Sequence, residues 1–149
     1  MLLWVGQSAI AGRGLFTAKP IKAGSRIIRY TGERITKEES ARRLAEGNVY
    51  IFELNERIDI DGKALTNKAR FINHSCNPNC TVHKTTRTIW IVASRDIRGG
   101  EELAYNYGYG PDSPKHPCSC GAENCCGFIL SPLYQDVIRQ QRARCTADL

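Results

Sequence analysis

Residues 70–80, Arg-Phe-Ile-Asn-His-Ser-Cys-Asn-Pro-Asn-Cys, hold an Arg, a His, three Asn, two Cys and a Pro, with only two large apolar side chains. Burying so many polar groups without partners would cost on the order of several kcal/mol each, which excludes an ordinary core strand. Asn77-Pro78 also disfavours a helix, because the residue before proline is pushed from the helical region. The run is therefore read as a loop or tight turn rich in donors and acceptors, the kind of segment where sites lie. Its plainer reading is a surface turn stapled by Asn side chains.

A second run restricts the C-terminal part. Cys118-Ser-Cys120-Gly-Ala-Glu-Asn-Cys125-Cys126-Gly127 places four cysteines within nine residues. Thiolates so spaced can converge on one tetrahedral Zn²⁺ at about 2.3 Å. The chain has seven cysteines in all, and Met1–Ile10 carries no basic lead and only a four-residue apolar stretch. No secretory signal is expected, so thiols are favoured over disulfides. Cys118, Cys120 and Cys125 leave one ligand position open. Cys126, Cys76, Cys80, Cys145 and His116 are candidates among which spacing does not choose.

The rest of the chain reads as short elements. Gly12-Arg13-Gly14 is either a strand bend or a backbone that must approach a ligand, with Arg13 available to a carboxylate. It lacks the setting of a dinucleotide-binding fingerprint. A short strand is predicted over Arg26–Tyr30. Thr36-x-x-Glu39 reads as a capping box opening a helix through Glu46, closed by Gly47. Two strands follow, Val49–Leu54 and Arg57–Asp61, which would put Tyr50, Phe52 and Leu54 on one face. A hairpin is predicted from Thr81–Thr85 and Thr88–Ala93, and a strand over Glu101–Tyr107 that points Tyr105 and Tyr107 the same way. Residues 108–117, rich in Gly and Pro, read as a linker or lid. Ser131-Pro132 opens a C-terminal helix with Leu133, Val137 and Ile138 as a narrow apolar stripe and a frayed end.

The 149 residues suggest one domain, large enough to bury roughly two thirds of its unfolded surface. No apolar run approaches the ~20 residues of a membrane span. The net charge of +6 is scattered over small clusters (Arg26 and Arg29; Arg42 and Arg43; Arg139, Arg142 and Arg144). This lacks the dense basic stripe with exposed aromatics of a nucleic-acid module, so no direct nucleic-acid partner is expected. Glu53, Glu56, Asp59, Asp61, Glu101 and Glu102 are candidates for an acidic groove facing a basic tail.

Several motifs in this order resemble the SET-domain protein lysine methyltransferases with a post-SET zinc segment. They are Gly12-Arg13-Gly14-Leu15-Phe16, Tyr50-Ile51-Phe52, Arg70–Asn79, Gly100-Glu-Glu-Leu-Ala-Tyr-Asn-Tyr107 and Cys118-x-Cys120 with Cys125. The resemblance covers nearly the whole chain, and the Asn-His-Ser-Cys-x-Pro-Asn run with the cysteine cluster is its most specific part. It implies a mainly β fold with few short helices, small sheets and knot-like threading. The units would be a SET domain over 1–110, a zinc-binding post-SET segment over 111–130 and a C-terminal helix or tail over 131–149. It implies S-adenosylmethionine held by Ala11, Gly12, Arg13, Gly14, Tyr50, Arg70, Asn73 and His74. Tyr107 would be the catalytic tyrosine and Tyr105 the position tuning the number of methyl groups, with Tyr50 touching both cofactor and lysine channel. Cys76 would join Cys118, Cys120 and Cys125 on a structural zinc. The substrate would be a lysine in a histone or other basic protein. The site of action would be intracellular, chromatin in a eukaryote or the cytoplasm in a prokaryote. Asn106, where the family usually has Asp, Ala104, where Thr or Ser is common, and Cys126 depart from the pattern.

Overall fold

The computed structural model describes residues 1–147, the last six by backbone alone, so Arg142, Arg144 and Cys145 lie outside the described side chains. The chain is mainly β, with ten short strands, two α-helices and one 3₁₀ turn (Lys68–Phe71) among the described residues. Strands β1 (Leu3–Gln7) and β2 (Arg13–Thr17) form a hairpin. β3 (Arg26–Tyr30), β9 (Ile89–Ala93) and β8 (Cys80–Lys84) form one antiparallel sheet. β4 (Glu33–Thr36), β6 (Ile58–Asp61) and β5 (Ile51–Glu53) form another. The two-residue strands β7 (Asn73–His74) and β10 (Ala104–Tyr105) pair in parallel. Leu15, Ile27, Ile72, Ile89, Ile91, Ile97 and Leu103 make the centre of the core.

Local chemistry accounts for the helices. Thr36 Oγ1 accepts from the Glu39 amide at 3.2 Å, giving α1 (Lys37–Ala45) its N-cap. Only half of the expected capping box forms, because the Glu39 carboxylate turns to Arg42 and Arg43 instead. Gly47, with φ at +91°, ends the helix in the conformation glycine tolerates best. Arg43 then ties α1 to the sheet through the buried Asp61 carboxylate at 2.7 Å. α2 spans Pro132–Ala147.

Three expectations change. The β1–β2 hairpin and β4 were not anticipated. Gly6, Gly12 and Gly14 weaken the strand pattern in the first case, and β4 is short and mostly exposed. The predicted strand over 101–107 contracts to Ala104–Tyr105, since Phe16 bridges to Glu102 and the chain then leaves the ladder. The polar run is no surface turn: Ile72, His74, Ser75, Cys76, Asn79 and Cys80 are buried. Its groups are partnered inside. Asn79 Nδ2 donates to the Glu102 carbonyl at 2.8 Å and its Oδ1 accepts from the Ala104 amide at 2.9 Å. The Ser75 amide donates to the Tyr105 carbonyl at 3.2 Å. That satisfaction is what makes burial of so polar a segment affordable.

Candidate active site and metal centre

The loop 70–80 and the segment 104–109 are laid side by side by the β7–β10 pairing, and the side chains of interest project from this seam. Tyr105 and Tyr107 have ring centroids 5.0 Å apart, and Tyr107 and Tyr109 5.7 Å. They line a cavity of about 410 Å³ together with Tyr30, Tyr50, Phe52 and Arg70. Tyr50 sits just ahead of β5. Its carbonyl is held by the Tyr30 hydroxyl at 2.8 Å and the Gly62 amide at 2.9 Å. The Arg70 guanidinium lies 4.0 Å from the Tyr50 ring centroid and its Nη1 donates to the Lys63 carbonyl. Its Nε is buried without a protein hydrogen-bond partner.

A second cavity, about 190 Å³, is bounded by Ile10, Ala11, Asn73, His74, Tyr107 and Cys118 with its neighbours. Tyr107 is thus a wall of both spaces. Its hydroxyl donates to the Ile72 carbonyl at 2.7 Å and its amide donates to His74 Nδ1 at 3.1 Å. An accepting Nδ1 puts the ring proton on Nε2, which faces Cys76 Sγ at 3.5 Å. Burial pushes the His74 pKa down to about 4, so the ring is neutral at pH 7. Burial also pushes the Tyr105 and Tyr107 phenols well above the usual tyrosine range, with neighbouring phenols adding to it.

The Gly-x-Gly turn is held against this seam. Asn73 Nδ2 lies 3.1 Å from the carbonyls of Ala11 and Arg13 and 2.9 Å from Glu102 Oε1. Ser8 Oγ donates to the same carboxylate at 2.7 Å. Gly12 has φ at +47°, and a Cβ on Gly14 would run into the Glu102 carboxylate. Gly12 thus holds a backbone conformation that favours glycine, and a side chain at Gly14 would have to displace Glu102 from Ser8 and Asn73. Arg13 lines neither cavity; its guanidinium lies 5.0 Å from the Phe71 ring centroid.

Four sulfurs converge at the edge of the second cavity. Those of Cys76, Cys118, Cys120 and Cys125 lie within 4.8 Å of one another, and Cys76 to Cys118 is 3.9 Å. A tetrahedron with bonds of about 2.3 Å has edges near ~3.8 Å, so the set fits one Zn²⁺. Burial pushes the Cys76 thiol far up, and crowding by the neighbouring sulfurs adds to it. A divalent cation removes that penalty by giving each thiolate a positive partner. The surroundings suit thiolates: the Gly127 amide donates to Cys125 Sγ at 3.3 Å and Gln135 Nε2 to Cys76 Sγ at 3.3 Å. Cys126 turns away to the Phe128 carbonyl, and Cys80 to Asn79 Oδ1. The described cysteines form no disulfide.

Tyr50, Tyr105, Tyr107 and Arg70 are brought together around the larger cavity, and Ala11, Asn73 and His74 meet Tyr107 at the smaller. Tyr109, Tyr30, Ser8, Glu102 as a clamp, and Gln135 were missed. Tyr109 continues the two-residue spacing of Tyr105 and Tyr107, a signal obscured by Gly108 and Gly110. Five of the six carboxylates proposed for an acidic groove have cationic or hydrogen-bonding partners. Asp59 pairs with Lys37, Asp61 with Arg43, Glu101 with Arg95, and Glu53 with Lys37 and Lys84. Glu102 is held by Ser8 and Asn73.

A SET domain profile matches residues 12–108. The H3 lysine-4 specific histone-lysine N-methyltransferase of Schizosaccharomyces pombe is 39% identical over 137 residues, covering 85% of this chain and 15% of that protein. The histone-lysine N-methyltransferase trithorax of Drosophila virilis is 39% identical over 134 residues, covering 84% of this chain and 4% of that protein. This chain therefore spans a small part of such relatives. Among solved structures, KRYPTONITE in complex with methylated DNA, an H3(1-15) peptide and SAH superposes with a TM-score of 0.72 at 34% identity. The match covers 85% of this chain and 29% of that one.

Proposed function

The chain belongs to the SET domain family, and from that premise we propose that it is a protein-lysine N-methyltransferase. It would move a methyl group from S-adenosylmethionine to the side-chain amine of a lysine in a histone or another basic protein. The observation that carries this reading is the position of Tyr107 as the partition between two cavities, one walled by tyrosines and one beside Ala11, Asn73 and His74. An amine from one side and a methyl donor from the other meet at that residue. We read 1–110 as the catalytic unit, 111–130 as the zinc segment and 131–149 as its C-terminal support.

The sulfonium cofactor, when bound, supplies the electrophilic methyl group. The protein's residues supply alignment and desolvation. A free lysine has a pKa of about 10.4, and partial desolvation among the tyrosine rings, beside the Arg70 guanidinium, disfavours the ammonium, so the amine sheds its proton to solvent more readily. Tyr107 has its hydroxyl proton committed to the Ile72 carbonyl, so its oxygen lone pairs are free to accept from the amine. A phenol held neutral by burial positions the amine without binding the cation as tightly as a carboxylate would. Correct alignment is the larger contribution to rate. Asn73, His74 and the Ala11–Gly14 turn would hold the cofactor from the smaller cavity, and Arg70 and Tyr50, which line the larger one, would reach it from the other side of Tyr107. Cys76, Cys118, Cys120 and Cys125 would hold a structural Zn²⁺ with no open position for water.

No helix among the described residues is long and apolar enough to cross a membrane. The relatives named above are histone-lysine methyltransferases, so in a eukaryotic host the expected place of action is chromatin; in a prokaryote it would be the cytoplasm. The test is mass spectrometry of histones and other basic proteins after incubation with the purified chain and S-adenosylmethionine. The expected result is methyl-lysine formation, reduced at least about 100-fold in Tyr107→Phe with cofactor affinity kept within a few-fold. A chain that binds the cofactor yet methylates none of these proteins would overturn the assignment.

A further inference from the structure

Gln135 is the fourth residue of α2 and is 1% exposed, whereas Leu133 and Val137 on the same helix are 72% and 49% exposed. A helix that buries an amide while leaving aliphatic side chains in water has a use for the amide, since burial of an unpartnered one is costly. Gln135 Nε2 donates to the Leu130 carbonyl at 2.8 Å and to Cys76 Sγ at 3.3 Å. The first contact alone would be an ordinary turn bond. The second reaches a residue 59 positions away, in the proposed metal set.

A thiol sulfur is a weak acceptor, but a metal-bound thiolate carries charge and accepts more strongly. The Gln135 bond therefore strengthens when the four-cysteine set is loaded. The Leu130 carbonyl also accepts from Asn106 Nδ2 at 3.1 Å, and Asn106 lies between Tyr105 and Tyr107. The next residue, Ser131, donates its amide to the Tyr109 carbonyl at 2.9 Å. One short path of hydrogen bonds thus runs from Cys76 Sγ to the tyrosine segment that walls both cavities.

We infer that Gln135 is a positioning residue that couples zinc occupancy of the Cys76–Cys118–Cys120–Cys125 centre to the order of residues 106–109. This rests on the reading of those cysteines as a zinc centre. Metal loading favours the Gln135 contact, which fixes the Leu130 and Ser131 backbone, which in turn holds Asn106 and Tyr109. The coupling is reciprocal, so loss of the amide weakens metal retention too.

The test uses the full chain loaded with zinc and compares wild type with Gln135→Met, Gln135→Glu and the exposed Gln140→Ala. Gln135→Met keeps the volume without the donors. Gln135→Glu keeps the shape but sets a carboxylate against a thiolate, and serves if the first variant does not fold. Zinc release to a chromophoric chelator should accelerate about 10- to 100-fold in both Gln135 variants, as for other groups that hydrogen-bond a metal ligand. It should be unchanged in Gln140→Ala. Amide exchange at Tyr107, Gly108 and Ser131 should rise on chelation in wild type and respond much less to chelation in the Gln135 variants, with exchange in β3 and β9 unaltered. Wild-type release rates in folded Gln135 variants would overturn the inference, as would exchange at 107–108 that ignores the metal in wild type. A wild-type chain that holds no zinc would instead remove the metal reading itself, and the inference with it.

Discussion

The side-chain amide of Asn73 donates to the Glu102 carboxylate at 2.9 Å, although 29 residues separate them in the chain. Glu102 also receives the Ser8 hydroxyl at 2.7 Å, and Ser8 Oγ accepts the Ile10 amide at 2.9 Å. The carboxylate is therefore the anchor that keeps the Gly-x-Gly turn beside the Asn-His segment. Its removal leaves partly buried donors unsatisfied, at about 1–3 kcal/mol.

Glu102→Ala should lower stability by about 1–3 kcal/mol, and it should weaken S-adenosylhomocysteine binding about tenfold or more because the turn loses its register. Chemical denaturation and titration calorimetry on the same preparation check both effects. Affinity unchanged in a destabilised variant would mean that the clamp serves the fold and not the proposed cofactor site.

Tyr105 is 7% exposed and packs against Tyr107 and Phe52, with ring centroids 5.0 and 5.9 Å away. Removing its hydroxyl enlarges the tyrosine cavity at the point where a methylated amine needs room. Wild type should make mostly mono- and dimethyl-lysine, and Tyr105→Phe should shift product toward higher states. Intact-mass spectra of a peptide substrate read the distribution directly, and an unaltered distribution counts against the assignment of Tyr105.

The pH dependence follows from the tyrosines. Burial raises the pKa values of Tyr105 and Tyr107, so both phenols stay neutral above the pH at which a free tyrosine ionises. The lysine substrate must lose its proton, so kcat/KM should climb from pH 7 to about 9.5 with no descending limb from these groups. For stability the sign is the reverse. A folded pKa raised above the unfolded value of about 10 holds stability below that pH and loses it above. Rate profiles and melting curves between pH 7 and 11 check the two together, and a rate that turns downward with rising pH before about pH 9 in a protein still folded would implicate a different group.

What the sequence could disclose divides along physical lines. Helix α1 was legible because its start and stop signals, Thr36 with Glu39 and then Gly47, lie within one stretch of about three turns. The β8–β9 hairpin was legible for the same local reason. The burial of 70–80 was not, because the partners of Asn79 and Ser75 come from residues 102–105, and nothing in a window of neighbours announces them. The β1–β2 hairpin hid behind its glycines, and the pairing of Asp59, Asp61 and Glu101 was hidden too, because Lys37, Arg43 and Arg95 reach those carboxylates through the fold. Spacing narrowed the sulfur cluster to Cys118, Cys120 and Cys125 but left the fourth ligand open. Cys76 joins them through the fold, with its carbonyl held by Asn124 Nδ2 at 2.9 Å.

The adjacent cysteines 125 and 126 give the last prediction. Cys125 Sγ lies in the four-sulfur set, whereas Cys126 is 1% exposed and its Sγ points to the Phe128 carbonyl at 3.4 Å. A side chain so buried and so turned cannot replace Cys76 without rebuilding the segment. Cys126→Ser should therefore keep one zinc per chain, with a modest loss of stability, on the order of 1 kcal/mol, for a small buried thiol exchanged for a hydroxyl. Cys76→Ser should lose tight zinc binding and soften the 106–131 region, because that sulfur is both ligand and partner of Gln135. Metal content by atomic emission after gel filtration, with melting curves in the presence and absence of a chelator, separates the two. Zinc retained in Cys76→Ser but lost in Cys126→Ser would move the fourth ligand to Cys126 and require the 118–127 loop to be wound differently.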